Sequence, residues 1–138
     1  MRRLSPALPL LLVAWAAGAR AATVSWDGGG DGVSWLDARN WSADTLPGPG
    51  DDVSITAPGA VVTLGSGAVT VRSLNCPRTL RLTGGVLTVS EGASFIGGVL
   101  RQSGGQFAGT ALIRQGTLEL DGAGTAAATY VLEGATQL

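Results

Sequence analysis

The chain has 138 residues, a net charge of −1, 22 glycines, 45% hydrophobic residues and only 14% charged ones. That length fits one domain, and so much apolar content with so little net charge excludes a disordered chain. Histidine and lysine are both absent, which excludes an imidazole base, a Ser-His-Asp triad, a histidine metal ligand and a lysine Schiff base.

Residues 1–21 read as a signal peptide. Arg2 and Arg3 give the positive start, Leu8 to Ala17 the apolar core, and Ala19-Arg20-Ala21 a small-x-small cleavage site. The apolar run is shorter than the about 20 residues a spanning helix needs. Removing the segment also removes Arg2, Arg3 and Arg20, leaving six arginines against ten acidic residues, a charge of −4. A mildly acidic exported surface speaks against nucleic acid as a partner. A membrane is then a partner only through the signal peptide or an anchor outside this chain. Cys76 is the single cysteine, so no intrachain disulfide forms and it reads as a small buried apolar side chain.

Residues 22–52 form a Trp/Gly-rich region. Trp26, Trp35 and Trp41 are large flat side chains separated by glycines that let the backbone turn tightly. They are placed to plug one end of a stack. Pro47-Gly48-Pro49-Gly50 is a rigid turn, and Asp51 or Asp52 can receive backbone N–H groups where the first strand begins.

Residues 53–138 alternate apolar and polar side chains in short stretches, the pattern of strands with one buried face. In order these are 53–55, 61–64, 69–71 leading on to Leu74, 80–82, 86–89, 99–100, 112–113, 117–120 and 130–132. Glycines stand between them, at Gly65-Ser66-Gly67, Gly84-Gly85, Gly97-Gly98, Gly104-Gly105 and Gly122-Ala123-Gly124. TGGVLTVS, IGGVLRQS, SGGQFAGT and RQGTLELD make a loose repeat, each with a glycine just before a strand, at uneven spacing. Two or three strands per turn give a coil of about 20 residues, and the region supplies about four coils. An antiparallel β-sandwich also has short strands at such spacing. Hairpin turn signals are scarce, however, with Asp121-Gly122 the main one, and the interior candidates are mostly Val, Leu, Ile and Ala, with only Phe95, Phe107 and Tyr130 larger. A parallel β-helix is therefore the expected fold. The pattern reaches Leu138 with nothing like the tryptophan region to close it, which reads as the first part of a longer protein truncated at its C-terminus.

The arrangement WDGGGDG, SWLDARNW and LPGPGDDVSI, followed by VTVRSL and LRLTGGVLTV, resembles the N-terminal module of large secreted bacterial parallel β-helix surface proteins. These are autotransporter-like or filamentous-haemagglutinin-like adhesins. The likeness covers roughly residues 24–89. It implies a right-handed parallel β-helix, export, and a cell-surface or extracellular role, and it carries no catalytic residues to transfer.

Other chemistry is thinner. Trp26, Trp35 and Trp41 are candidate carbohydrate contacts, since an exposed indole suits the apolar face of a sugar ring. Asp27 and Asp31 offer too few oxygens for calcium, so a turn is expected there and no metal or other cofactor. Gly28-x-Gly30-x-Gly32 lacks the βαβ context of a dinucleotide site, and Asn40-Trp41-Ser42 matches a glycosylation acceptor. Glu91, Glu119, Asp121 and Glu133 are spread along the stack, with no local pair to cleave a glycosidic bond. Arg72, Arg81, Arg101 and Arg114 recur on strands and would align as a solvated ladder. The expected function is a non-catalytic, exported scaffold whose partner is a polysaccharide or a host or surface ligand. The alternatives are a carbohydrate-binding module and the first part of a polysaccharide-degrading β-helix enzyme.

Overall fold

The structure, a computed structural model, describes residues 22–121 and 128–138. The signal segment and the Gly122-Ala123-Gly124 turn expected from the sequence lie outside them. The strands are β1 (Thr23–Ser25), β2 (Asp52–Ser54), β3 (Val61–Leu64), β4 (Ala68–Val71), β5 (Ser73–Asn75), β6 (Thr79–Leu82), β7 (Val86–Ile96), β8 (Val99–Gln102), β9 (Gln106–Arg114), β10 (Thr117–Leu120), β11 (Ala128–Glu133) and β12 (Thr136–Gln137). Every strand pair among the described residues is parallel. The chain is a parallel β-solenoid, and the antiparallel sandwich is set aside.

Two sheets wrap one core. The first runs β1-β2-β5-β7-β9-β11, with β4 also on β7, and the second β12-β10-β8-β6-β3. Val61 sits on Thr79, Thr79 on Val99, Val99 on Thr117 and Thr117 on Thr136, so the climb per coil is 18, 20, 18 and 19 residues. That is about four coils of the expected length. In each of the inner coils a short strand of the second sheet leads into a long stretch of the first. The register of β7 on β9 shifts between Val89 and Ala93, and Gly92 and Gly109 there have φ of 105° and 125°. A bulge of this kind turns a strand, so one long strand covers two sides of the core.

Inward positions stack in files. Val62, Leu80, Leu100 and Leu118 form one, and Val24, Val53, Leu74, Ala93, Ala111 and Tyr130 another. All but Tyr130 are buried. Each fully buried Leu or Val of this kind contributes about 1.5–3 kcal/mol relative to exposure. Phe95 and Phe107 are also fully buried, in register with Ile113 and Leu87. Cys76 is also buried and desolvation pushes its thiol up to about 11, in keeping with its reading as a core residue.

One file is broken by a polar residue. Leu64, Leu82, Gln102 and Leu120 are in register, and Gln102 is fully buried with its Nε2 unpartnered. Its Oε1 accepts from the Tyr130 hydroxyl. An orphaned buried amide costs about 1–3 kcal/mol, while the Tyr130 hydroxyl, only half-buried, can turn to water. Gln102→Leu is therefore expected to raise stability by about 1 kcal/mol. Urea unfolding followed by circular dichroism checks it, and a loss of stability would show that the Tyr130 bond outweighs the orphan.

Candidate functional site

The sequence places its one distinctive motif at residues 26–41, and the structure folds that motif over the first coil. The chain there lays a turn over both sheets. β1 pairs with β2, and Trp26 continues it by donating its N–H to Ser54 O at 2.9 Å. Across the core, Thr63 N donates to Val33 O at 2.8 Å and Trp35 N donates to Thr63 O at 2.9 Å. Backbone thereby lies over β2 of the first sheet and over the middle of β3 of the second, which limits open-edge pairing at those strands.

The indoles close the space between. Trp26, Trp35 and Trp41 are 5%, 0% and 0% exposed. Trp41 meets Trp26 edge-on at 5.0 Å between ring centroids and Trp35 at 4.8 Å. The Trp41 Nε1 donates to Trp35 O at 2.8 Å. Such pairs contribute about 0.5–1.5 kcal/mol beyond the area they bury. An indole covered this completely has no face on which a pyranose can lie, so the candidate carbohydrate contacts sit in the core.

A buried amide holds the cap together. The Asn40 Oδ1 accepts from Gly30 N and Gly32 N, both at 2.9 Å, and its Nδ2 donates to Asp31 Oδ1 at 2.8 Å and Ser34 O at 2.9 Å. Its own carbonyl accepts from Asp27 N and Gly28 N. Asn40 is fully buried, and with its Nδ2 engaged it offers no glycosylation acceptor. The sequence shows an asparagine in the motif but not this role. Its only signal was a polar residue three positions after Asp37, directly before a tryptophan.

The two aspartates of the motif fasten turns. Asp31 Oδ1 accepts from Val33 N and Ser34 N, both at 2.8 Å. Those bonds, with the Asn40 amide, hold its carboxyl below the usual carboxylate value. Asp37 takes Arg39 Nε and Nη2 at 3.0 and 2.9 Å, and accepts from Asp31 N at 3.0 Å. The Arg39 guanidinium is the main cause that brings Asp37 down to about 2. Asp51 accepts from Gly48 N at 2.7 Å, as a turn aspartate should, whereas Asp52 instead meets Arg72 and Ser73.

No known protein family, curated protein or solved structure matches this chain.

Outside the cap the charged residues mostly join coils. Arg72 bridges Asp52 and Glu91, Arg101 meets Glu119 at 3.1 Å, and Arg114 meets Glu133 at 2.6 Å. Of the four arginines expected in a ladder, only Arg81 and Arg101 are register neighbours. Arg72 and Arg114 lie on the other sheet, each against acids of adjacent coils. Among the described residues no group of three His, Cys, Asp or Glu side chains converges.

Acid should loosen the cap before the coils. Both Asp31 and Asp37 have folded values below the ordinary 3.8, so each adds stability that is full above that value and fades as pH falls through the folded one. For Asp37 the fade runs from about 4 down to about 2. Tryptophan emission is therefore expected to shift to the red over that window while the β-sheet circular dichroism holds. Simultaneous loss of both signals would contradict a separable cap.

Proposed function

We propose that the protein is a non-catalytic, exported β-solenoid scaffold, part of an extracellular or cell-surface adhesin-like protein. The observation that carries this reading is the stacked apolar interior, which a polar side chain enters only at Gln102 among the described residues of the coils. The buried files run from the indole cap through the inner coils, so the surface open to a partner is made by the outward-facing residues. A rod of that kind is stiff because each coil is hydrogen-bonded to the next along most of its length. Its role is to present a surface, and the inter-coil ion pairs are part of that surface rather than a converging site. The signal-like pattern of residues 1–21 supports export.

Fractionation of the source cells with N-terminal sequencing tests the reading. The expected result is mature protein at the surface or in the medium, beginning at Ala22. Intact Met1 in the cytosol would overturn it, as would turnover of a polysaccharide by the purified chain.

A further inference from the structure

Where the first coil passes β4, the stack has a gap. Among the described residues β4 pairs only with β7. The phase of that ladder is set by Val86 N donating to Gly67 O, so Gly67, Val69 and Val71 turn their peptide groups toward β7. Arg72, of opposite phase, donates to Asp51 O in the preceding coil. Ala68 and Thr70 share that phase, and their N–H and C=O groups face a level at which no described residue forms a strand. The chain at that level is Leu46-Pro47-Gly48-Pro49, whose prolines have no N–H to give.

The gap is an open groove lined by Trp35, Leu36, Leu46, Pro47, Pro49 and Val69. Leu36 and Leu46 are 41% and 40% exposed, and the buried Trp35 Nε1 has no hydrogen-bond partner. Asp44 and Asp51 flank the Leu46–Pro49 wall in sequence, and neither is in an ion pair among the described residues.

We propose that this groove takes an extended segment of a partner protein, apolar at its centre and basic at its ends, as an added strand against β4. Two donors and two acceptors at strand spacing are the recognition chemistry of a polypeptide backbone. The leucines and prolines receive alternate side chains, and the Asp44 and Asp51 carboxylates, neither in an ion pair among the described residues, attract cationic flanks. A second copy of this chain fits less well than a basic-ended partner, since pairing β4 with its counterpart would bring the Asp44 and Asp51 carboxylates of the two copies toward each other. The groove belongs to the first coil and stands whether or not the chain is exported.

The test uses the isotope-labelled full chain and three blocked peptides. These are acetyl-Arg-Val-Thr-Val-Arg-amide, its twin methylated on the three central backbone nitrogens, and a twin with Glu in place of both Arg. The first should shift the amide resonances of Ala68 and Thr70, and the other two should bind at least about tenfold more weakly. Thr70→Pro removes one donor at an edge position that tolerates proline, and should abolish binding with the unfolding midpoint unchanged. If that variant unfolds, the methylated peptide alone decides. Equal binding of the methylated twin, or no shift at Ala68 and Thr70 with millimolar peptide, overturns the proposal. So does movement of those resonances on dilution of the protein alone, which would assign the groove to self-association.

Discussion

Asn40→Ala is expected to destabilise the protein by about 3 kcal/mol, with the cap opening ahead of the coils. The side chain makes four hydrogen bonds of 2.8–2.9 Å from a fully buried position. Alanine leaves Gly30 N, Gly32 N and Ser34 O without their partner. Each such orphan costs about 1–3 kcal/mol when water cannot reach it. Gly30, Gly32 and Ser34 are only half-buried, so water recovers part of the loss and the sum is not reached. Asn40→Asp keeps the acceptor for the two glycines but sets a second carboxylate against Asp31, and at neutral pH should cost at least as much. Urea titrations followed by tryptophan emission and by β-sheet dichroism measure both. A loss under about 1 kcal/mol, or identical midpoints for the two signals in the variant, would remove Asn40 from its place as the fastener of the cap.

That fastener shows where sequence reading stops. Alternation exposed the inward files well, because a two-residue period is local, and strands such as β3 and β10 were legible to the residue. The second half of β7 was not. Ser90-Glu91-Gly92 breaks the period at the bulge, so Ala93 and Phe95 lie beyond a stretch that looks like a loop. β1 was missed for a similar reason: three residues with one buried valine carry no period of their own, and only pairing with β2 makes them a strand. The tryptophans were read both as a plug and as a sugar platform, since local pattern cannot tell which side of an indole faces water. Nor could it show the β4 groove, which depends on which coil lies above which strand.

The uneven glycine repeat has a physical solution. Gly85, Gly98, Gly105 and Gly116 are separated by 13, 7 and 11 residues. Gly85 and Gly105 precede β7 and β9 of the first sheet, 20 residues apart, whereas Gly98 and Gly116 precede β8 and β10 of the second, 18 apart. Two corners per coil, each with its own regular file, look irregular when read as one series.

Those corners yield the second large effect. Gly85→Ala is expected to cost about 4 kcal/mol, the sum of a left-handed backbone and an overpacked contact. Its φ is +72°, and an added Cβ would lie 2.6 Å from the Ser66 carbonyl carbon in the coil above, inside the 3.0 Å that real Cβ contacts respect. The obstacle is backbone, which cannot swing aside without lifting one coil from the next. Three other glycines separate the causes. Gly98 is outside the left-handed region but would meet Cys76 O at 2.5 Å and Arg78 O at 2.6 Å, so Gly98→Ala should lose about 2–3 kcal/mol through contact alone. Gly59 has φ of +75° and open space, so Gly59→Ala should lose about 1 kcal/mol through conformation alone. Gly50 has neither constraint, and Gly50→Ala should fall within about 0.5 kcal/mol of the parent, on the stabilising side where the unfolded chain is stiffened. Thermal unfolding of the four variants gives the order directly. Should Gly59→Ala prove as harmful as Gly85→Ala, conformational freedom rather than the closeness of stacked coils would be what these glycines supply. The register of the solenoid would then have to be fixed by its buried files alone.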